Sequence, residues 1–149
     1  MRKIDLNKIT PIIKWVTIGL LILPLVLYYL PYRKGVTGLD LVRLGQAAGG
    51  DWAAEMIIRV LIPVIFSVVA GLILVKYNLA TTIIALVLCL INRYIYSNYV
   101  SSYRGFGRGT AFGLEVANAI NIICIFLCIA LLVLIIVKKV TEKPKVAKA

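Results

Sequence analysis

Histidine is missing from the 149-residue chain altogether, and Asp and Glu together number only 6. Without an imidazole there is no Ser–His or Cys–His nucleophile arrangement, and most transition-metal sites lose their commonest ligand. Catalysis is left to carboxylates, Arg, Lys and Tyr, and none of these has the spacing of an acid/base pair. Cysteine is scarce as well. Cys89, Cys124 and Cys128 all lie inside long apolar stretches, so no loop disulfide is available, and two thiols sharing a helix face at 124 and 128 make a poor metal site. Their expected use is small apolar packing, and no metal or cofactor is expected. Charge is thin overall: 15% of residues are charged, against about 25% in ordinary globular domains.

What the chain does have is apolar length. Of its residues 62% are hydrophobic, gathered in four blocks at 15–32, 53–75, 79–98 and 113–137. Each is near the roughly 20 residues that cross about 30 Å of hydrocarbon. The pieces between and beyond them are too short to bury a core. The expected fold class is therefore an all-α integral membrane protein, a single four-transmembrane-helix bundle over 1–149 ending in a basic tail at 138–149.

The net charge of +11 comes from 17 Lys and Arg residues. A basic chain can bind nucleic acid through counterion release, but here the basic residues sit at membrane borders, and no aromatic-interleaved basic surface stands outside the bilayer. No nucleic-acid partner is expected. Border charges report topology instead, since Lys and Arg are retained on the cytoplasmic side. Arg2, Lys3, Lys8, Lys14, Lys76, Lys138, Lys139, Lys143, Lys145 and Lys148 fall on one side. Arg33, Lys34, Arg43, Arg104 and Arg108 fall on the other. The two-to-one ratio places both termini in the cytoplasm, in the plasma (cytoplasmic) membrane, with anionic lipids attracted to the basic inner flanks.

The first block ends Tyr28-Tyr29-Leu30-Pro31-Tyr32 with no small-residue cleavage site, so it is expected to stay as an anchor, kinked at Pro24. Lys76-Tyr77-Asn78 is so short a connection that blocks two and three must be antiparallel neighbours. In the first outer loop Thr37 and Asp40 have capping-box spacing ahead of an apolar stripe at 39, 42, 41 and 44. A short amphipathic helix follows from this, ending in Gly45 and Ala47-Ala48-Gly49-Gly50, which suits a stop and a turn back to Asp51 and Trp52, and Asp40 and Arg43 become candidate contact residues. The second outer loop, 103–113, is Gly-rich and carries Arg104 and Arg108, two further contact candidates. Tyr28, Tyr29, Tyr32, Trp52, Tyr96, Tyr99 and Tyr103 read as an outer interfacial belt, with Trp15 and Tyr77 at the inner border.

Ionisable groups inside a span cost about 2.5–3.5 kcal/mol each at its centre. Arg59 and Arg93 lie off-centre, in the outer half. Glu55 stands one turn before Arg59, where a carboxylate–guanidinium pair lowers the cost of both charges. Glu115 opens the fourth block at the height of Arg93, so these two can pair if blocks three and four touch. Asn118 and Asn121 follow Glu115 on one broad face, and Asn92 precedes Arg93. The polar layer so formed has two readings. It is either an interhelical hydrogen-bond layer that fixes register, or an outward-facing vestibule that binds a polar or anionic group at Arg59 and Arg93.

The layout of inner N-terminus, longer first loop, tight inner turn, shorter second loop and basic tail resembles the claudin-type four-helix arrangement and small Gram-positive membrane proteins of the same outline. Loop one has Gly38-Leu39-Asp40 and no cysteine where the claudin signature has Trp, Gly-Leu-Trp and two cysteines, so no paracellular role carries over. Asn92-Arg93-Tyr94-Ile95-Tyr96 is similar to the third-helix Arg/Tyr cluster of the membrane-associated glutathione transferases, which implies a thiol-cofactor enzyme. That family's second helix runs Arg, Asn, Glu, Pro, whereas here Glu55 precedes Arg59 and Pro63. The leading expectation is a non-enzymatic accessory or assembly subunit of an envelope complex, acting through contacts with other membrane subunits or copies of itself. The alternative is a small transporter, channel or immunity-type protein.

Overall fold

A computed structural model describes residues 5–33, 35–105 and 112–142, with the backbone alone at 31–33, 99–105, 112 and 142. The chain runs α1 (Leu6–Leu27), β1 (Pro31–Arg33), β2 (Val36–Thr37), α2 (Gly38–Ala48), α3 (Gly50–Met56), a π turn (Ile57–Leu61), α4 (Ile62–Leu74), α5 (Leu79–Gly105) and α6 (Phe112–Glu142). Four stretches are long and apolar enough to cross a membrane: Leu6–Leu27, Gly50–Leu74, Leu79–Asn98 and Gly113–Thr141. The protein is an all-α four-helix membrane bundle.

The spans pack as a ring. α1 lies against α4 and α6, and α5 lies against α4 and α6, so consecutive spans are neighbours and the last closes on the first. Leu6, Asn7, Lys138 and Lys139 line one cleft together, which puts both described ends of the chain at one end of the bundle, the terminal end. The hairpin and α2 form the opposite, loop end. Leu21, Leu74, Ala85, Cys89, Tyr96, Leu114, Cys124 and Leu131 fill the interior, while Leu72, Val26 and Phe126 are about 60% exposed or more on the outside. An apolar outer surface of this kind suits hydrocarbon, which asks only that backbone groups be satisfied within each helix. Gly71 of α4 packs against α1: a Cβ there would stand in ordinary van der Waals contact, 3.4 Å from Leu21 Cβ and 3.6 Å from the Ile18 carbonyl.

Helix ends differ from the hydropathy blocks where polar residues continue or cap a helix. α1 begins nine residues before Trp15, because the Asp5 side chain accepts the Asn7 N–H at 3.2 Å and caps it. It stops at Leu27 rather than at 32. Pro31 forces the preceding residue out of the helical region, and Pro31–Arg33 instead pairs antiparallel with Val36–Thr37, turning through Gly35 at φ 71°. α5 continues past Asn98 through Tyr103, Arg104 and Gly105, since nothing before Gly105 breaks it. α6 likewise runs through Lys138 and Lys139 to Glu142, so the tail expected from 138 is helical for its first residues. Thr141 bonds back to the Val137 and Lys138 carbonyls there. The tight turn is as expected. Asn78 caps α5 reciprocally with Thr81, N–H to side-chain oxygen at 2.9 and 3.0 Å.

The π turn was not legible in the sequence pattern. Pro63 has no N–H to give the Arg59 carbonyl, and the Ile62 N–H reaches back five residues to the Ile57 carbonyl. Span two therefore carries a local widening beneath Arg59.

Candidate functional site

The candidate site is the set of polar side chains inside the spans. Arg59 Nη2 lies 2.6 Å from Glu55 Oε1, an i,i+4 pair with side chains 33% and 41% exposed. Partial exposure keeps this pair close to the loop-end surface, where it neutralises both charges on one helix. Arg93 is part-buried, and its Nη1 donates to Asn118 Oδ1 at 2.8 Å across the α5–α6 contact. Asn118 is thus an α6 partner of Arg93, three residues beyond the Glu115 that the sequence pattern offered.

Deeper in the bundle the asparagines bind backbone. Asn121, 2% exposed, donates from Nδ2 to the Cys89 carbonyl at 3.0 Å. Asn92, fully buried, donates to the Pro63 carbonyl at 2.9 Å and to Ser67 Oγ at 3.0 Å. The Pro63 carbonyl fixes which way the Asn92 amide is turned, since an acceptor there demands the nitrogen. α5 is in this way tied to α4 through Asn92 and to α6 through Asn121 and Arg93. Asn92 Oδ1 and Asn121 Oδ1 are buried without a hydrogen-bond partner among the described residues. Tyr77 adds a fourth cross-link near the terminal end, its hydroxyl donating to the Leu131 carbonyl at 3.0 Å.

The polar side chains do not all meet at one helix–helix contact. Glu55 and Arg59 pair within span two, while Asn92, Asn118 and Asn121 bond between helices. Nor does the Asn92–Tyr96 segment gather on one face: Tyr94 is 71% exposed and Tyr96 is buried. Tyr28 and Tyr96, expected in the interfacial belt, are interior residues. Tyr28 sits beneath Gly38, where any Cβ would meet its ring carbon at 2.8 Å. Tyr29, Trp52 and Trp15 are exposed, as a belt requires. All three cysteines are fully buried. Among the described residues no group of three or more His, Cys, Asp or Glu side chains is arranged to hold a metal ion.

At the loop end the capping box is complete. The Thr37 N–H and hydroxyl donate to Asp40 Oδ2 at 3.1 and 2.8 Å, and the Asp40 N–H returns to Thr37 Oγ1 at 3.2 Å. These bonds, the side-chain one above all, hold the Asp40 carboxyl below the usual carboxylate range. α2 buries Gly38, Val42 and Gly45 against the bundle, with Leu39 and Leu41 part-buried beside them. Leu44, read from the sequence as part of this stripe, is 60% exposed. Gly45 does not end the helix. It is the point of closest approach to Met56, and the stop comes at Gly49, whose φ is 71°. Arg43 is exposed on the free side of α2. Arg104 lies in the last turn of α5, described by its backbone, and Arg108 lies outside the described residues.

Compared with protein-family models, curated proteins and solved structures, the chain matches none.

Proposed function

We propose that this chain is a non-enzymatic membrane protein that works by contact, as an accessory or assembly subunit of an envelope complex or as a homo-oligomer. In this reading it sits in the plasma membrane with its terminal end in the cytoplasm, as the distribution of Lys and Arg favours. One observation carries the proposal: Asn92, Arg93 and Asn121 are all engaged in bonds that knit α4, α5 and α6 together. Intramembrane polar groups mark a site by default, and here they have a sufficient structural task. What remains for recognition is the loop end, where a capped helix presents Arg43 and Leu44 and span two begins with an exposed Trp52. Crosslinking in native membranes followed by purification in mild detergent tests this. A discrete partner or a defined oligomer is expected, and a monomer with nothing crosslinked to it would overturn the reading.

A second reading, a small transporter, channel or immunity-type protein, draws on the two buried amide oxygens of Asn92 and Asn121 that have no donor among the described residues. Buried polar atoms of that kind are commonly met by water or an ion. Against it, Arg93 is engaged by Asn118 and Arg59 by Glu55. Flux through proteoliposomes, compared with that of Arg59→Ala and Arg93→Ala, separates the two readings.

A further inference from the structure

The terminal end holds a feature that neither reading uses. Between α1, the α4–α5 turn and α6 lies a cleft of about 530 Å³. Lys14 comes to it from α1, and Lys138 and Lys139 come from α6, so three lysines from two helices line one space. No carboxylate is among the described residues lining it. Asp5 lies off the lining and is within 4.0 Å of Lys8. The amides of Asn7 and Asn78 add uncharged donors, and Leu134 and Ile135 form an apolar wall.

Lys14 is held in position rather than left to wave in solvent. Its Nζ donates to the Val75 carbonyl at 3.0 Å, capping the end of α4, and stands 5.0 Å from the centre of the Trp15 ring. A carbonyl and a ring face orient an ammonium but leave its charge uncompensated, with further N–H donors to give. The cleft thus combines clustered positive charge, neutral donors and a hydrocarbon wall at the end of a membrane bundle. A ligand that answers all three is anionic at one end and apolar at the other. Basic pockets between transmembrane helices hold phospholipid headgroups by these means.

We propose that this cleft is a specific site for an anionic phospholipid, its phosphate among Lys14, Lys138 and Lys139 and its first acyl carbons against Leu134 and Ile135. The inference needs only that the terminal end reach the headgroup level of a bilayer. It stands or falls independently of which side that is, and of whether the protein assembles or transports.

The test uses the full chain in a neutral detergent, titrated with phosphatidylglycerol, phosphatidylcholine or inorganic phosphate, and read by native mass spectrometry and thermal midpoint. Phosphatidylglycerol is expected to give a saturable single adduct and a rise in midpoint, and the other two to give neither. Lys138→Gln with Lys139→Gln is expected to weaken that binding on the order of 25-fold, since each surface lysine supplies about a fivefold factor. Lys8→Gln with Lys76→Gln removes the same charge from the same end but outside the cleft, and is expected to leave binding unchanged. Should the first pair fail to fold, Lys139→Gln alone carries the comparison. Equal weakening by both pairs would mean diffuse attraction and overturn the site. So would absence of a saturable adduct, or inorganic phosphate reproducing the effect, which would make it a free-anion site.

Discussion

The Asn121 amide donates to the Cys89 backbone carbonyl at 3.0 Å, in the buried centre of the α5–α6 contact. A carbonyl already engaged in its own helix can accept this second bond on its other lone pair, so the link forms without breaking the helix. Asn92, three residues further along α5, makes the corresponding bond to Pro63 on the opposite side. Together they lock α5 between its two neighbours.

Replacing either asparagine by alanine is therefore expected to destabilise the bundle by about 0.6–2 kcal/mol, the range found for interhelical hydrogen bonds in membranes. Reversible unfolding in mixed micelles measures it. Asn92→Ala is expected to cost more, because Asn92 makes two bonds and Asn121 one. Unchanged stability in both variants would remove the structural role and return the orphan amide oxygens to the vestibule reading.

Arg93 and Asn118 offer a separable test. A double-mutant cycle on Arg93→Ala and Asn118→Ala is expected to give a coupling of about 0.5–1 kcal/mol, with flux through proteoliposomes unaltered in all variants. Loss of flux in Arg93→Ala with zero coupling to Asn118 would favour the transport reading.

The spans, the tight turn, the Glu55–Arg59 pair and the Thr37–Asp40 box were legible because each rests on short-range physics: apolar length, loop closure, i,i+4 spacing and a cap. The polar layer was legible as a set of residues but not as a set of partners. Which of Glu115 and Asn118 meets Arg93 depends on the sliding register of two helices, and an almost uniformly apolar span leaves that register unmarked. For the same reason Tyr96 was indistinguishable from a boundary tyrosine, although it faces inward. Local chemistry could have found two missed features. Pro31 forbids α1 from reaching 32, and Pro63 leaves the Arg59 carbonyl without its usual donor, which is the signal for the π turn.

Asp40 gives α2 a pH dependence of known sign. Hydrogen bonds from Thr37 hold its folded-state pKa below the ordinary 3.8. A depressed carboxyl stabilises the folded form above the unfolded value, and that contribution disappears as pH falls through the lowered one. Amide exchange in 38–48, corrected for intrinsic rate and followed from about pH 6 to about pH 2, is expected to quicken only in the lowest part of that range. Asp40→Asn removes the titrating group and is expected to flatten the profile.

Gly45 tests whether α2 is truly seated on span two, because two effects of one substitution have opposite signs. Alanine is a better helix former than glycine by about 1 kcal/mol, so in a helix lying free at the surface Gly45→Ala should stabilise α2. In the packed position the new Cβ would stand 2.7 Å from Met56 Cγ, 2.8 Å from Met56 Cβ and 3.1 Å from the Trp52 carbonyl. The Met56 Cγ can swing aside, but the Cβ and the carbonyl belong to the helix itself, so relief requires α2 to move as a body. Overpacking of this kind costs about 1–3 kcal/mol, which exceeds the gain in propensity. Gly45→Ala is accordingly expected to lower amide-exchange protection across 38–48, while Gln46→Ala, on the exposed side, leaves it unchanged or raises it. Greater protection in Gly45→Ala would mean that α2 does not rest on Met56, and the loop end would lose its claim to be a rigid contact surface.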